Sequence, residues 1–324
     1  MRRILFLLVL LLAAGAGYLA YAARDIPKET LIERYGGAEP RFVLTPGGAN
    51  AHYRDRGPHD GPTLLLLHGS NASLHTFEPL VDLLPESLRV VTVDLPAHGL
   101  TGAVPREAYS QAEMVAFVDD FTRRAGIGRF AIGGNSMGGG VAARYAATHP
   151  ERITHLVLID AGGISPPDLA LEPPVVFTLL RMPGLGEAIS RLTPRALFRA
   201  NLEDAVHRDE IITDAMVTRY FELARMEGAR GATLARLRKP DDGWLYAHLE
   251  QIEAPTCLLW GREDSWVPLS VMEAYAAKIP GARTRVLEGV GHMPQEEAPA
   301  ETAAFLADCL AAAPPAAGAD GPAP

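Results

Sequence analysis

The chain has 324 residues, of which 48% are hydrophobic and 21% are charged. This length and composition allow one large domain with an insertion, or two modest domains. The formal net charge of −9 argues against a nucleic-acid-binding protein, because such a protein needs a basic face to neutralise phosphates.

The first 24 residues carry a targeting signal. Arg2 and Arg3 precede an uncharged apolar stretch at 4–23, which is long enough to cross a bilayer as a helix. The basic residues before it predict a cytoplasmic N-terminus and an exported, periplasmic-side domain. A cleaved signal peptide is the alternative, because residues 20–22 resemble a small-x-small cleavage site. We predict a retained membrane anchor over residues 1–24.

Residues 25–162 predict the first part of an α/β core. Extended runs at 41–44 and 51–54 flank a Pro-Gly-Gly turn, which is typical of an antiparallel hairpin. Beyond them, apolar runs alternate with stretches of helical spacing, and strand–helix–strand repetition predicts a mostly parallel, doubly wound sheet with helices on both faces. The predicted strands are 64–67, 90–93, 130–133 and 156–159, and the predicted helices are 113–125 and 137–148.

Residues 163–250 predict an inserted helical cap. This region opens with two Pro-Pro pairs, shows no strong strand pattern, and has helical spacing near 188–201, 211–226 and 233–237. The second part of the core follows at 251–312. Its predicted strands are 256–260 and 284–287, and its predicted helices are 268–278 and 298–312. The Ala-, Pro- and Gly-rich tail at 313–324 is predicted to be disordered.

The two cysteines, Cys257 and Cys309, lack the CxxC or Cys/His spacing of a metal site. Cys257 lies in an apolar run, so we interpret it as a buried, inert thiol. A disulfide between the two cysteines is the alternative in an oxidising compartment. We expect neither a metal ion nor an organic cofactor.

A Gly-Asn-Ser-Met-Gly segment lies where the strand at 130–133 meets the helix at 137–148. This is the G-x-S-x-G pattern in a strand–turn–helix context, where a sharp turn lifts the serine side chain off the sheet. Small residues are needed two places before and after the serine, which explains the glycines. The pattern predicts Ser136 as a nucleophile. Phosphate binding is disfavoured because no lysine follows in P-loop register.

A serine hydroxyl needs an adjacent base, and the base needs a carboxylate. His292 is the best base, because its loop follows the last strand at the edge where catalytic groups gather. Asp264 is our preferred acid, since its loop follows the strand at 256–260 and ends at a probable helix start. Glu263 and Asp160 are alternatives. The order Ser, Asp, His fits this type of sheet.

Acyl transfer also needs two N–H donors for the oxyanion. We predict the backbone N–H groups of Met137, directly after the nucleophile, and of Ser70, in the loop after the first long strand. His68 and His98 are interpreted as structural residues of their loops.

These motifs, in this order, resemble the α/β-hydrolase superfamily from about residue 41 to residue 312. The elbow is similar to that of the meta-cleavage product hydrolases, which split carbon–carbon bonds in dienoates from aromatic degradation. That resemblance implies a substrate-contacting cap arginine, which we match to Arg219. We also predict substrate contacts at Asn71, Asn135 and Met293 in the catalytic loops. This chain departs from that family in having Asn71 and Met293 where the family has glycine and tryptophan.

The sequence therefore predicts a serine hydrolase that cleaves carboxylic esters of apolar small molecules through an acyl-enzyme. A serine nucleophile argues against dehalogenase and epoxide hydrolase chemistry, which both require a carboxylate. The first alternative is a carbon–carbon hydrolase acting on a dienoate. The second is a membrane-tethered binding or sensor protein with weak turnover. The expected partners are a small-molecule substrate and, through the N-terminal helix, a membrane; no nucleic acid is expected. The sequence does not define an oligomeric state.

Overall fold

The computed structural model describes residues 24–169, 175–192, 194–240 and 242–311, together with the isolated positions 6, 15, 17 and 21. No helix within these residues is long and apolar enough to cross a membrane. The predicted anchor lies almost wholly outside the described residues, and the predicted disordered tail lies outside them entirely. Both remain predictions.

An eight-stranded sheet organises the molecule, with strand order β1-β2-β4-β3-β5-β6-β7-β8. The pairs β1–β2 and β2–β4 are antiparallel, and all the other pairs are parallel. This is the mostly parallel sheet that the sequence predicts. The strands are β1 (Arg41–Leu44), β2 (Asn50–Arg56), β3 (Thr63–Leu67), β4 (Arg89–Val93), β5 (Phe130–Asn135), β6 (Ile153–Ile159), β7 (Thr256–Gly261) and β8 (Arg283–Leu287).

Helices cover both faces of the sheet and fill the segment between β6 and β7. The α-helices are α1 (Lys28–Tyr35), α2 (Glu78–Val81), α3 (Gln111–Arg124), α4 (Met137–Thr148), α5 (Val175–Arg181), α6 (Leu185–Leu192), α7 (Arg195–Ala205), α8 (Asp214–Leu223), α9 (Ala229–Leu237), α10 (Trp244–His248), α11 (Leu269–Lys278), α12 (Pro294–Glu297) and α13 (Pro299–Leu310). Short 3₁₀ turns occur at Leu74–Phe77, Pro105–Glu107, Pro150–Arg152, Asp209–Ile211 and Leu249–Gln251.

Alternate side chains of the parallel strands enter two separate apolar layers. Leu65 of β3 packs in the layer with α3, α4 and α11, whereas its neighbours Leu64 and Leu66 pack in the layer with α2 and α13. Because both faces are covered, these strands are apolar at nearly every position. The continuous apolar runs were the feature that revealed them in the sequence.

The cap helices depart from the sequence prediction in one place. The stretch 188–201, predicted as part of one helix, is divided between α6 and α7, and Pro194 is the N-cap of α7. Proline has no N–H to donate and clashes with the preceding turn, so a helix ends before it. The remaining described helices of this segment fall where helical spacing was found, and α5 and α10 extend the helical region at both ends.

The interpretation of Cys257 as a free thiol is wrong. Cys257 in β7 and Cys309 in α13 form a disulfide, with their Cα atoms 6.3 Å apart. The bond ties the last helix to β7, the strand next to the edge strand β8. The sequence could not reveal it, because the pairing depends on how α13 lies across β7.

Candidate active site

Ser136 occupies the turn between β5 and α4 in a backbone conformation that is rare for a residue with a side chain. Its φ is 53° and its ψ is −121°. The turn is fixed on both sides: the Ser136 N–H donates to the Ile159 carbonyl at 3.1 Å, and its carbonyl accepts from Gly162 at 3.0 Å. Ser136 is half-buried and lines the main cavity. The described residues offer its hydroxyl no hydrogen bond, so it is free to rotate.

The glycines around Ser136 are required by contact with backbone. A Cβ at Gly134 would overlap Gly138, and a Cβ at Gly138 would overlap the Leu67 carbonyl. A Cβ at Gly69 would lie 3.1 Å from Cβ of Ser136. Only glycine therefore lets the turn, α4 and the loop after β3 approach this closely.

His292 and Asp264 lie side by side at the same edge of the sheet. His292 Nδ1 donates to Asp264 Oδ2 at 2.7 Å, because an ionised carboxylate can only accept. Asp264 Oδ1 accepts from the backbone N–H groups of Trp266 at 2.8 Å and Val267 at 2.9 Å. With its Nδ1 hydrogen engaged, neutral His292 presents Nε2 as a base. His292 and Ser136 line the same cavity.

The two alternative acids have different partners. Glu263 accepts a hydrogen bond from the Val290 N–H at 3.0 Å, so it braces the loop that carries His292. Asp160 is fully buried, and a carboxyl oxygen of Asp160 lies within 4.8 Å of ligand atoms on both Asp264 and His292. The direct hydrogen bond to the imidazole, however, belongs to Asp264.

These three residues are also the one set of close ligand atoms in the described part of the chain that could hold a metal ion. Asp264 and His292 already bond to each other, and the second oxygen of Asp264 accepts two amides. This arrangement matches a hydrogen-bonded acid–base pair, whose members orient each other, more closely than an open set of ligands.

The two predicted oxyanion donors are free. Among the described residues, neither the Ser70 N–H nor the Met137 N–H donates a hydrogen bond to the protein. Both residues are half-buried. Free, preorganised N–H groups beside a nucleophile suit an oxyanion.

The His68 imidazole is buried and neutral, and its two hydrogen bonds hold its loop in place. Its Nδ1 donates to the Gly69 carbonyl at 2.8 Å, and its Nε2 accepts from the Leu95 N–H at 3.0 Å. Burial lowers the pKa of His68. The ring thus braces the loop that carries Ser70. His98 likewise bonds the Pro96 carbonyl through Nδ1, at 2.8 Å, and burial lowers its pKa well below the usual value.

The cavity above Ser136 opens to solvent, and the empty space between its walls, open solvent included, is about 1140 Å³. Its walls are mainly apolar side chains from the helices between β6 and β7. They include Val176, Leu180, Ile189, Leu197, Phe198, Leu202 and Leu234. Polar residues line the cavity from both sides: Ser70, Asn71, Asn135, Ser136 and His292 from the sheet edge, and Ser190, Asn201, Tyr220, Arg225, Arg230 and Thr233 from the segment between β6 and β7.

Three of the four predicted substrate contacts line this cavity: Asn71, Asn135 and Met293. Asn135 also holds two neighbouring backbone segments through its side-chain amide. Its Nδ2 donates to the carbonyls of Ile159 at 3.2 Å and His292 at 3.0 Å. Because both amide hydrogens are engaged, a substrate contact by Asn135 would have to use Oδ1.

The fourth predicted contact, Arg219, lies outside this cavity, and its role in substrate binding remains a prediction. Its guanidinium lies 4.0 Å from the carboxylate of Glu296, which is buried. The neighbouring Tyr220 does line the cavity, and its hydroxyl donates to the same Glu296 carboxylate at 3.0 Å.

Two other arginines of the cap, Arg225 and Arg230, do line the cavity. Arg225 Nη2 donates to the carbonyls of Tyr21 and Arg24, each at 2.9 Å. Arg230 Nη2 donates to the Arg24 carbonyl at 3.4 Å, and its Nε lies 3.4 Å from Asp25. The sequence offers no sign of this, because the partners are backbone atoms from a distant segment.

Glu297 is a further residue that the sequence did not reveal. Its buried carboxylate accepts from the N–H groups of Gly291 at 2.9 Å, Met293 at 3.1 Å and His207 at 2.8 Å. These bonds fix the loop on both sides of His292. In the sequence, Glu297 is simply one of several acids near the start of the last helices.

Known proteins of the α/β-hydrolase fold resemble this chain in sequence and in structure. A model of the α/β-hydrolase fold family matches residues 62–299. A monoacylglycerol lipase of Xenopus laevis is 29% identical over 269 residues, which are 80% of this chain and 78% of the relative.

A hydrolase of 2-hydroxy-6-oxononadienedioate and 2-hydroxy-6-oxononatrienedioate from Burkholderia vietnamiensis is 29% identical over 256 residues, which are 76% of this chain and 85% of the relative. Among solved structures, a membrane phospholipase A that is a bacterial virulence factor is 29% identical, with a TM-score of 0.69. That match covers 96% of this chain and 100% of the other.

Proposed function

The chain belongs to the α/β-hydrolase fold family, and from this premise we propose that it is a serine hydrolase that cleaves carboxylic esters through an acyl-enzyme. The observation that carries the proposal is the 2.7 Å bond between His292 and Asp264 beside a free serine hydroxyl at the floor of one cavity. Among the described residues that line the cavity, His292 is the one imidazole, and no carboxylate accompanies it.

In the proposed mechanism, Ser136 Oγ attacks the ester carbonyl while His292 Nε2 takes its proton. Asp264 stabilises the imidazolium, and the N–H groups of Ser70 and Met137 hold the oxyanion. His292 then gives the proton to the departing alcohol, and later activates the water that releases the acid. General-base catalysis of this kind contributes about 10²–10⁴-fold, and one oxyanion donor about 10²–10³-fold.

We propose an ester with an apolar acyl chain as the substrate class. The apolar wall of the cavity supports this, since such a wall favours a chain that leaves water. Two relatives named for lipid esters, the monoacylglycerol lipase and the membrane phospholipase A, support the same class.

The carbon–carbon hydrolase stays as a second candidate because the Burkholderia relative is a hydrolase of dienedioates. Against it stands the position of Arg219, which is outside the cavity where a dienoate carboxylate would bind.

The test is hydrolysis of p-nitrophenyl esters of increasing chain length, and of a ring-fission dienoate, by the full-length protein in detergent. We expect the esters to be cleaved, and Ser136→Ala to lower kcat by about 10⁴-fold or more, because the nucleophile is lost. A fluorophosphonate probe should label the wild-type protein and not this variant.

Ester cleavage that survives in Ser136→Ala would overturn the mechanism. Faster cleavage of the dienoate would favour the second candidate. Folded protein that neither reacts with the probe nor cleaves either substrate class would leave the binding or sensor alternative.

We also propose that residues 4–23 hold the protein at a membrane, with the hydrolase domain on the exported side. Large apolar side chains exposed on α5, α6, α7 and the turn between α5 and α6 support this, because they would find apolar surroundings at a bilayer. They are Val175, Leu179, Met182, Leu185, Leu192 and Leu197. The Cys257–Cys309 disulfide supports an oxidising compartment.

Fractionation of cells tests this second proposal. Full-length protein should sediment with membranes and resist alkaline extraction, whereas protein that begins at residue 20 should be extracted. Full-length protein found in the cytosolic fraction would contradict the proposal without affecting the ester assay.

A further inference from the structure

A second buried carboxyl lies next to the proposed acid, and the mechanism above does not use it. Asp160 directly follows β6 and is fully buried. Its φ is +43°, in the left-handed region, which is strained for a residue other than glycine. A strained backbone therefore holds this buried acid beside the proposed catalytic pair.

The contacts of Asp160 leave one of its oxygens open. Oδ1 accepts from the Gly261 N–H at 2.9 Å. No N–H or O–H group of the described residues donates to Oδ2, which is buried. Ligand atoms of Asp160, Asp264 and His292 all lie within 4.8 Å of one another.

Two carboxyls in such a dry site cannot both hold a negative charge. Asp264 receives three hydrogen bonds, from Trp266, Val267 and His292, whereas Asp160 receives one. Asp264 is therefore the better place for the charge. Burial, followed by the charge of Asp264, raises the pKa of Asp160 well above its usual range, and Glu297 acts in the same direction.

We propose that Asp160 is a positioning residue whose carboxyl keeps its proton and donates it from Oδ2 in a hydrogen bond to Asp264. This inference rests on the proposed function, because it assigns Asp160 to the same acid–base pair. The bond turns Asp264 toward His292 and spreads part of its charge. Asp160 itself does not line the cavity, so it acts on the chemical step and not on substrate binding.

The test compares Asp160→Ala with Asp160→Asn in ester hydrolysis across pH. Asp160→Ala removes the donor, and losing a hydrogen bond to a charged group typically costs about 10- to 150-fold. We expect kcat to fall within that range with KM unchanged. We also expect the acidic limb of kcat/KM to move to higher pH, because an unbonded Asp264 attracts the His292 proton more strongly.

Asp160→Asn is the conservative variant, since its amide can accept from Gly261 and donate to Asp264. It should recover most of the lost kcat and return the acidic limb toward its wild-type position. If Asp160 were instead a second carboxylate, Asp160→Asn would remove a negative charge and move that limb to lower pH. Such a shift, or a kcat as low as that of Asp160→Ala, would overturn the proposal.

Glu288→Gln is the control for loss of an acidic side chain nearby, because Glu288 is exposed and pairs with Arg262 at the surface. Its pH profile should match the wild type. If Asp160→Ala does not fold, the acidic limb of kcat/KM in Asp160→Asn decides alone. A limb near its wild-type position supports the proposal, and a limb at lower pH overturns it.

A readout without catalysis separates this inference from the proposed function. In infrared difference spectra at neutral pH, wild-type protein should show the carbonyl band of a protonated acid that Asp160→Asn lacks. Absence of that band would refute the protonated carboxyl even in an active enzyme. Its presence in an inactive protein would leave the carboxyl as described and reject the hydrolase proposal.

Discussion

The sheet edge and the cap helices line the same cavity with different kinds of side chain. At the sheet edge, which comprises the loops after β3, β5, β7 and β8, most polar groups have assigned partners: Asp264 accepts three bonds and Asn135 donates two. The cap helices α5 to α9 contribute mainly apolar side chains, and several of these remain exposed to solvent.

This difference separates two properties of an enzyme. A group that is held by several hydrogen bonds is preorganised for one reaction geometry. An apolar wall discriminates between substrates only by their size and shape. One methylene more or less on the substrate changes its relative transition-state binding by about 1–3 kcal/mol. We therefore expect the sheet edge to determine the reaction and the cap to determine the chain length of the substrate.

The largest effect should come from crowding the sheet edge. Gly138→Ala places a Cβ against the backbone carbonyls of Leu67 and His68, which cannot move without shifting β3. We expect a loss of about 3 kcal/mol or more in the free energy of unfolding, measured by urea denaturation, and loss of ester hydrolysis.

Gly231→Ala is the matched control in the cap. Gly231 lies in α9, and an added Cβ would meet nothing within 4 Å. Replacing an exposed helical glycine by alanine should stabilise the protein by up to about 1 kcal/mol with activity retained. If Gly138→Ala and Gly231→Ala changed the free energy of unfolding and the activity equally, the proposed difference between the sheet edge and the cap would be wrong.

A smaller effect should come from narrowing the cap. Val176 lines the cavity, so Val176→Trp should fill part of it and lower kcat/KM for an octanoate ester by about 10-fold. The acetate ester needs less room and should be hydrolysed at nearly the wild-type rate.

The neighbouring Val175 is 73% exposed, and Val175→Trp provides the control with the same change in size. It should leave the ratio of octanoate to acetate hydrolysis unchanged. A uniform loss on both esters by Val176→Trp would mean that the cap also affects the reaction itself.

The sequence predicted the sheet edge better than the cap, for physical reasons. Helix α4 begins and ends where its spacing placed it, at Met137 and Thr148, because a glycine-rich turn precedes it and a proline follows shortly after. Central strands are apolar on both faces, so their runs locate them within a few residues. The pairing of His292 with Asp264 could be predicted because both follow strands of one parallel sheet.

For the cap, the sequence predicted the helices but not how they pack or which side chains face the cavity. Amphipathic spacing locates a helix but does not tell which neighbour its apolar face will meet. The family resemblance predicts a substrate contact at Arg219, whereas the arginines that line the cavity are Arg225 and Arg230. The left-handed turn at Asp160 and its closeness to Asp264 likewise depend on how β6 lies against β7.

The contacts of Arg225 bear on how the chain matures. Its guanidinium lies 5.1 Å from the ring of Tyr21 and donates to the Tyr21 carbonyl. A peptidase cut at the 20–22 site would remove Tyr21 and deprive a buried cation of one of its two acceptors. Shortened forms of the protein should therefore retain Tyr21, which keeps both carbonyl acceptors of Arg225 in place.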